Sequence, residues 1–247
     1  MQFCIISPAT GLQQWATKSK AHLVLSHVTN ALYQQFYRGR REDGDLIILD
    51  NGAYEGRLDS NQLLERIGLY HPQVVVLPDL FGGPGRDSLD ISVRFHTKWR
   101  SIISNTEWMY VPQGETVKDF EYVLCKGIEE IQPSWVALPR ILGTKLAPNI
   151  GTRTKWCAYI HTRYPSVNVH ALGMLAGNAE ELPLLASANC ASVDSSAPVW
   201  RGWNGFRLHD PAWEAEGTDV DFDSPPQTNR RNLQAIRDNL AVCGVNV

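Results

Sequence analysis

VVVLPDLFGGPGRDSLDISVRFHTKWRSIISNTEWMYV, residues 74–111, contains one complete repeat of the fold. An unbroken apolar run at 74–77 ends on Pro78-Asp79, and a Gly/Pro loop follows. Residues 87–103 then carry helical spacing, and a second apolar run at 108–111 ends on Pro112-Gln113-Gly114. Runs that are continuous, not alternating, belong to parallel strands covered on both faces. A helix between two of them is the crossover that parallel pairing requires.

Outward from this unit, similar runs recur at 3–6, 22–25, 46–49, 135–138, 167–171 and 191–193. Helical stretches at 59–70, 116–126, 150–163, 178–186 and 228–242 lie between or after them. The first of these begins at an Asp59 or Ser60 cap and places Leu63, Leu64 and Ile67 on one face. The first two crossovers are less plainly helical. Eight strands in such alternation predict a single-domain α/β chain, a (β/α)8 TIM barrel over residues 1–247.

Composition narrows the function classes. With 23 Lys+Arg against 26 Asp+Glu the formal charge is −3, so a nucleic acid would have to be held by a local patch and not by a basic surface. No apolar run approaches the roughly 18 residues of a membrane span. The start, MQFCIISPATG, shows no basic region before its short apolar stretch, so neither a secretory signal nor a membrane partner is expected. The five cysteines are an odd number without zinc spacing, which predicts buried free thiols, a reducing cytoplasmic setting and no metal.

Barrel chemistry sits at the C-terminal ends of strands. Those ends read Ser7-Pro8, Ser26-His27, Asp50-Asn51-Gly52, Pro78-Asp79, Pro112-Gln113-Gly114, Pro139-Arg140, Gly173 and Asp194-Ser195. Three carboxylates and a carboxamide therefore converge on one rim. Each has a plainer reading beside it: Asp50-Asn51-Gly52 as a turn, Asp79 and Asp194 as helix caps, Gln113 as a turn residue, and Tyr54 as packing. His27 and His170 are read as structural.

The segments DNGAYEG (50–56), LPD (77–79), VPQGE (111–115), VALPR (136–140), ALGM (171–174) and SVDSSAP (192–198) stand in an order that resembles the tRNA-guanine transglycosylases. The corresponding signatures there are DSGGFQ, a strand-end Asp, VQGG, LAVGE, MGVG and a strand-end FDCV-type Asp. The short chain, without that family's zinc-binding Cys/His cluster, is more similar to the phage-type 7-deazaguanine DNA transglycosylases. The resemblance spans about residues 50–198. Asn51 and Ala53 replace the family's Ser and Gly, and Pro139 stands at a Gly-like position without an N–H to offer.

The resemblance implies a base exchange in DNA, with guanine replaced by a 7-deazaguanine derivative such as the 7-cyano or 7-aminomethyl base. Asp194 matches the nucleophile and Asp50 the general acid/base, with no cofactor. Asp79, Gln113 and Gly114 match the readers of the guanine edge, joined by Asn51, Leu138 and Gly173, and Tyr54 matches a ring stacked on the base. It further implies DNA as partner, the host cytoplasm if the chain is phage-encoded, and leaves the oligomeric state open. The same chemistry on RNA, a barrel glycosidase using Asp50 and Asp194, and a non-catalytic nucleobase-binding barrel are the alternatives.

Two further stretches offer a nucleic-acid contact. The connection after strand 8, residues 195–227, exceeds a plain loop. It carries Trp200, Arg201, Trp203, Phe206 and Arg207, suited to bases and phosphates or else to packing over the barrel. Its acidic half (Asp210, Glu214, Glu216, Asp219, Asp221, Asp223) would repel a nucleic-acid backbone. Arg38, Arg40 and Arg41 form a basic cluster expected on a loop before strand 3, either as a phosphate contact or as a solvated loop.

Overall fold

The computed structural model describes residues 1–175, 179–210 and 229–246. Eight strands form one sheet: β1 (Gln2–Ile5), β2 (Ala21–Leu25), β3 (Leu46–Asp50), β4 (Val74–Val76), β5 (Glu107–Tyr110), β6 (Trp135–Leu138), β7 (Asn168–Ala171) and β8 (Ser192–Ser195). Every pairing is parallel, in the order β1-β8-β7-β6-β5-β4-β3-β2. The two ends of that order, β1 and β2, pack side by side and close the barrel. Ser19 fills their seam: its buried hydroxyl donates to the Phe3 carbonyl (2.6 Å) and accepts from the Ala21 N–H (3.1 Å).

The outer layer comprises α1 (Leu12–Trp15), α2 (Ala31–Glu42), α3 (Ser60–Tyr70), α4 (Gly85–Trp99), α5 (Val117–Ile131), α6 (Thr152–Arg163), α7 (Glu181–Ser187), α8 (Ala197–Trp203) and α9 (Arg230–Val242). Side chains of Asn30, Asp59, Thr116 and Asn229 accept from first-turn N–H groups and start α2, α3, α5 and α9, satisfying donors that a helix leaves orphaned. The (β/α)8 barrel read from the sequence is the fold, and each strand falls within two residues of its apolar run.

Two segments differ from expectation. Arg38, Arg40 and Arg41 lie in α2 and not on a loop. Tyr33, Phe36 and Tyr37 occupy one helical face at i, i+3, i+4 and are buried, with ring centroids 4.7 Å apart for Tyr33–Tyr37 and 5.0 Å for Phe36–Tyr37; their burial holds the helix despite its charged end. Residues 197–203, just after β8, are likewise helical. α8 packs so closely on α9 that a Cβ at Gly202 would lie 2.5–2.7 Å from Ile236 atoms, backbone among them. Of the acidic run, Asp210 is described; residues 214–223 lie outside the described residues.

Candidate active site

Helices of a βα unit start near the C-terminal ends of strands and run back. The end of the barrel that gathers β3 Asp50, Asp79 beyond β4, Gln113 beyond β5 and β8 Asp194 is therefore the catalytic end for this fold. All four side chains are buried. β3 delivers Asp50 as its last residue, and the chain turns at once through Gly52 at φ +77°, a conformation that suits glycine. The Gly52 N–H returns to Asp50 Oδ2 at 2.8 Å. Burial first, then Glu55, and at smaller weight Asp194 and Asp79, push the Asp50 carboxyl up to about 8, against the lowering pull of the Gly52 N–H. Asp50 is thus a protonated acid at neutral pH.

Asp79 and Gln113 form one unit. Gln113 Nε2 donates to Asp79 Oδ2 at 2.6 Å, while the Gly82 N–H holds Gln113 Oε1 at 3.3 Å and so fixes which way the amide faces. Asn51 Nδ2 donates to Asp79 Oδ1 (2.6 Å) and to the Leu77 carbonyl (2.7 Å), and Asn51 Oδ1 accepts from the Ala53 N–H (2.8 Å). With both amide hydrogens engaged, Asn51 stands behind Asp79 and positions it. Burial pushes Asp79 up to about 6, opposed by the hydrogen bonds from Asn51 and Gln113. The carboxylate and the neighbouring amide present an acceptor beside a donor, the complement of a lactam or guanine-type edge.

Asp194 sits in β8, in register with Cys4 of β1. Its Oδ1 accepts from His170 Nε2 at 3.0 Å and from the Gly173 N–H at 2.9 Å. Gly173 adopts φ +64°, which aims that N–H at the carboxylate. His170, read from sequence as structural, thereby belongs to the site. The available signal was positional: His170 pairs with Ser192 across β7 and β8, and Ser192 and Asp194 share one face of β8 by strand period. Glu55 is a second residue whose role was missed. It sits on the rim, and its carboxyl is pushed up by local desolvation and then by Asp194.

Beneath Gly173 lies Arg153. Its Nε and Nη2 reach Glu181 Oε1 and Oε2, Nη1 donates to the Leu138 and Leu172 carbonyls (3.3 and 2.8 Å), and Nη2 to the Gly173 carbonyl (2.6 Å). This guanidinium ties the ends of β6 and β7 together directly under the Asp194 contact. Leu138 is itself fully buried, with its carbonyl taken by Arg153 and the Leu172 N–H; it shapes the wall and exposes no side chain. Gly114 is close-packed on α5, where a Cβ would lie 2.7 Å from the Phe120 nitrogen.

Tyr54 is at the mouth, 56% exposed. Its hydroxyl accepts from Arg140 Nη2 at 2.6 Å, the Arg140 guanidinium lies 5.3 Å from its ring centroid, and its ring meets Phe81 edge-on at 4.9 Å. Because Tyr54 follows β3 and Arg140 follows β6, this contact spans the mouth.

The expected nucleic-acid contacts lie elsewhere. Arg40 Nε binds Asp45 Oδ2 (2.6 Å), and Asp45 also holds His22 (2.9 Å) and Lys20 (3.2 Å); Arg41 Nε binds the His71 carbonyl (2.7 Å). Asp45 precedes β3 and His71 follows α3, so both contacts are at the barrel end opposite the carboxylates. Arg38 lines an outer groove of about 760 Å³ between α1 and α2 that none of the site carboxylates reaches. Trp200, Arg201 and Trp203 are buried in α8, with Arg201 bonded to the Leu208 carbonyl; they are packing. Arg207 is exposed but ion-paired to Asp238 at 3.1 Å.

Among the described residues no group of three or more His, Cys, Asp and Glu is arranged to hold a metal, and no helix is long and apolar enough to cross a membrane. The five cysteines carry free thiols. Fold and site together define a (β/α)8 barrel with a buried carboxylate cluster at the C-terminal end of its strands. No protein-family model and no curated protein sequence matches the chain.

Proposed function

We propose that the chain is a base-exchange transglycosylase that replaces guanine in DNA with a 7-deazaguanine derivative. The observation that carries this reading is the opposite setting of two inward carboxyls at one barrel mouth: Asp50 pushed up to about 8 by burial, and Asp194 held at one oxygen by two N–H donors. A carboxyl that keeps its proton suits a general acid, and one held by donors at a single oxygen leaves the other for attack.

Exchange with retained configuration needs two displacements at the sugar C1′. In the first, an Asp194 oxygen bonds to C1′ and the C1′–N bond breaks. Its electron pair stays on the purine, which takes the Asp50 proton. In the second, the entering base gives a proton to the Asp50 carboxylate and its nitrogen attacks C1′. The Asp194–C1′ bond then breaks and the carboxylate is restored. Asp79 accepts from guanine N1–H and N2–H, and the Gln113 amide donates to O6; a 7-deazapurine offers the same edge. A base reaches this mouth only when extruded or single-stranded.

The test is incubation with guanine-containing DNA, in parallel with tRNA, and with 7-cyano-7-deazaguanine, followed by nucleoside mass analysis. Insertion into DNA supports the reading and insertion into RNA alone moves the substrate. Free guanine released without insertion makes the protein a hydrolase.

A further inference from the structure

Asp194 has two unequal oxygens. Oδ1 receives His170 Nε2 and the Gly173 N–H, whereas among the described residues no protein donor is bonded to Oδ2. His170 Nδ1 lies 2.7 Å from Ser192 Oγ. Ser192–His170–Asp194 is thus a Ser-His-Asp chain with inverted exposure. Ser192 and His170 have no exposed surface, and Asp194 is the member at the mouth. A sealed hydroxyl cannot meet a substrate, so Ser192 is not the nucleophile. Because the Asp194 carboxylate only accepts, the neutral imidazole carries its proton on Nε2 and donates it to Oδ1, leaving Nδ1 to accept from the Ser192 hydroxyl.

We infer that His170 is a positioning residue that makes Asp194 a one-oxygen nucleophile, Oδ1 being held while Oδ2 forms and breaks the bond to C1′. The inference rests on the base-exchange reading above. In that sequence Asp194 acts twice, first donating an electron pair to C1′ and then leaving with the pair when the entering purine nitrogen displaces it. Nε2–H and the Gly173 N–H are already in place to meet the charge that returns to the carboxylate on departure. Removing the histidine donor therefore slows the second displacement more than the first, and the covalent enzyme–DNA species builds up.

The experiment compares wild type, His170→Ala, His170→Met (similar bulk, no donor) and His170→Gln, whose amide can restore a donor. Each is incubated with a guanine-containing single-stranded oligodeoxynucleotide and isotopically labelled guanine. Label incorporation and the covalent fraction on a denaturing gel are read together, with thermal melts to choose the folded donorless variant. Expected is a fall in incorporation of about tenfold or more in the donorless variant, the loss of one charge-assisted hydrogen bond, with a larger covalent fraction than wild type. His170→Gln recovers both. A folded donorless variant that exchanges at the wild-type rate overturns the assignment. So does one in which incorporation and adduct fall together with no recovery in His170→Gln. Wild type giving neither label nor adduct overturns the base-exchange reading itself, so the wild-type lane tells the two failures apart.

Discussion

Arg153 and Glu181 meet through two hydrogen bonds, at 2.7 and 2.5 Å, and neither side chain has any exposed surface. Such a pair is costly to break because the survivor is an uncompensated buried charge. Arg153→Ala or Glu181→Ala should lose about 3–5 kcal/mol of stability in denaturant melts. Arg153→Met/Glu181→Leu should lose less, since both charges go together. Both should nevertheless lower exchange, because the Gly173 turn that feeds Asp194 loses its clamp. Equal stability of the single and double variants would contradict this account.

The raised Asp50 carboxyl fixes the sign of a pH effect. The folded state keeps this proton up to about 8, while an unfolded Asp releases it near 3.9. Its contribution to stability is therefore full below the unfolded value and is lost as pH rises through the folded one. Asp50→Asn retains the acceptor for Gly52 without that penalty. Its melting temperature should converge on wild type at acid pH, rise above it progressively through neutrality, and stop gaining above about 8. Exchange by the wild type should fall on the same alkaline limb, where the acid has lost its proton. A flat difference across pH 5–9 would refute the assignment.

Asp79 accepts from two amides, so Asp79→Asn sets an NH2 against Asn51 or Gln113. Base binding should weaken by about 10- to 100-fold, as expected when a site loses about 1–3 kcal/mol of hydrogen bonding. Calorimetry with free guanine reads this directly, and affinity for DNA lacking guanine should be unchanged. Wild-type guanine affinity in the variant would leave Asp79 as a structural acceptor only.

Arg140 has no carboxylate within ion-pair distance among the described residues; it lies over the exposed Tyr54 ring, which in turn meets the exposed Phe81 ring. Arg140→Gln should weaken single-stranded DNA binding and flatten its salt dependence by about one unit of slope. Arg40→Gln should leave both unchanged and lower the melting temperature, because it strips Asp45. Fluorescence anisotropy over a salt series measures the two. The opposite ranking would return the nucleic-acid face to α2.

Strands were legible because burial on both faces leaves unbroken apolar runs such as 46–49 and 135–138, and the ends of those runs placed Asp50, Asp79, Gln113 and Asp194 on one rim. α2 escaped because its buried face is aromatic and its last turn reads as a charged loop. The stretch from Trp200 to Arg207 stayed open for the converse reason: an aromatic and basic composition suits either bases or a core, and only the contact with α9 decides. His170 escaped because its bond to Asp194 depends on the register of β7 against β8, which no local pattern encodes.

Since β1 pairs with β8, the second residue of the chain waits for the one hundred and ninety-second before its strand is complete. Of the eight strands β1 emerges first, has β2 beside it early, and gains its β8 partner last. Contacts so distant in sequence close slowly, and an unpaired strand edge is open to association meanwhile. Cys4 faces Asp194 across that final joint, so Asp194 gains its β1 neighbour only at ring closure. Refolding followed by site-specific probes should therefore report the Asp79–Gln113 half of the mouth before the Asp194 half, and fragments ending short of β8 should aggregate without acquiring any part of the latter.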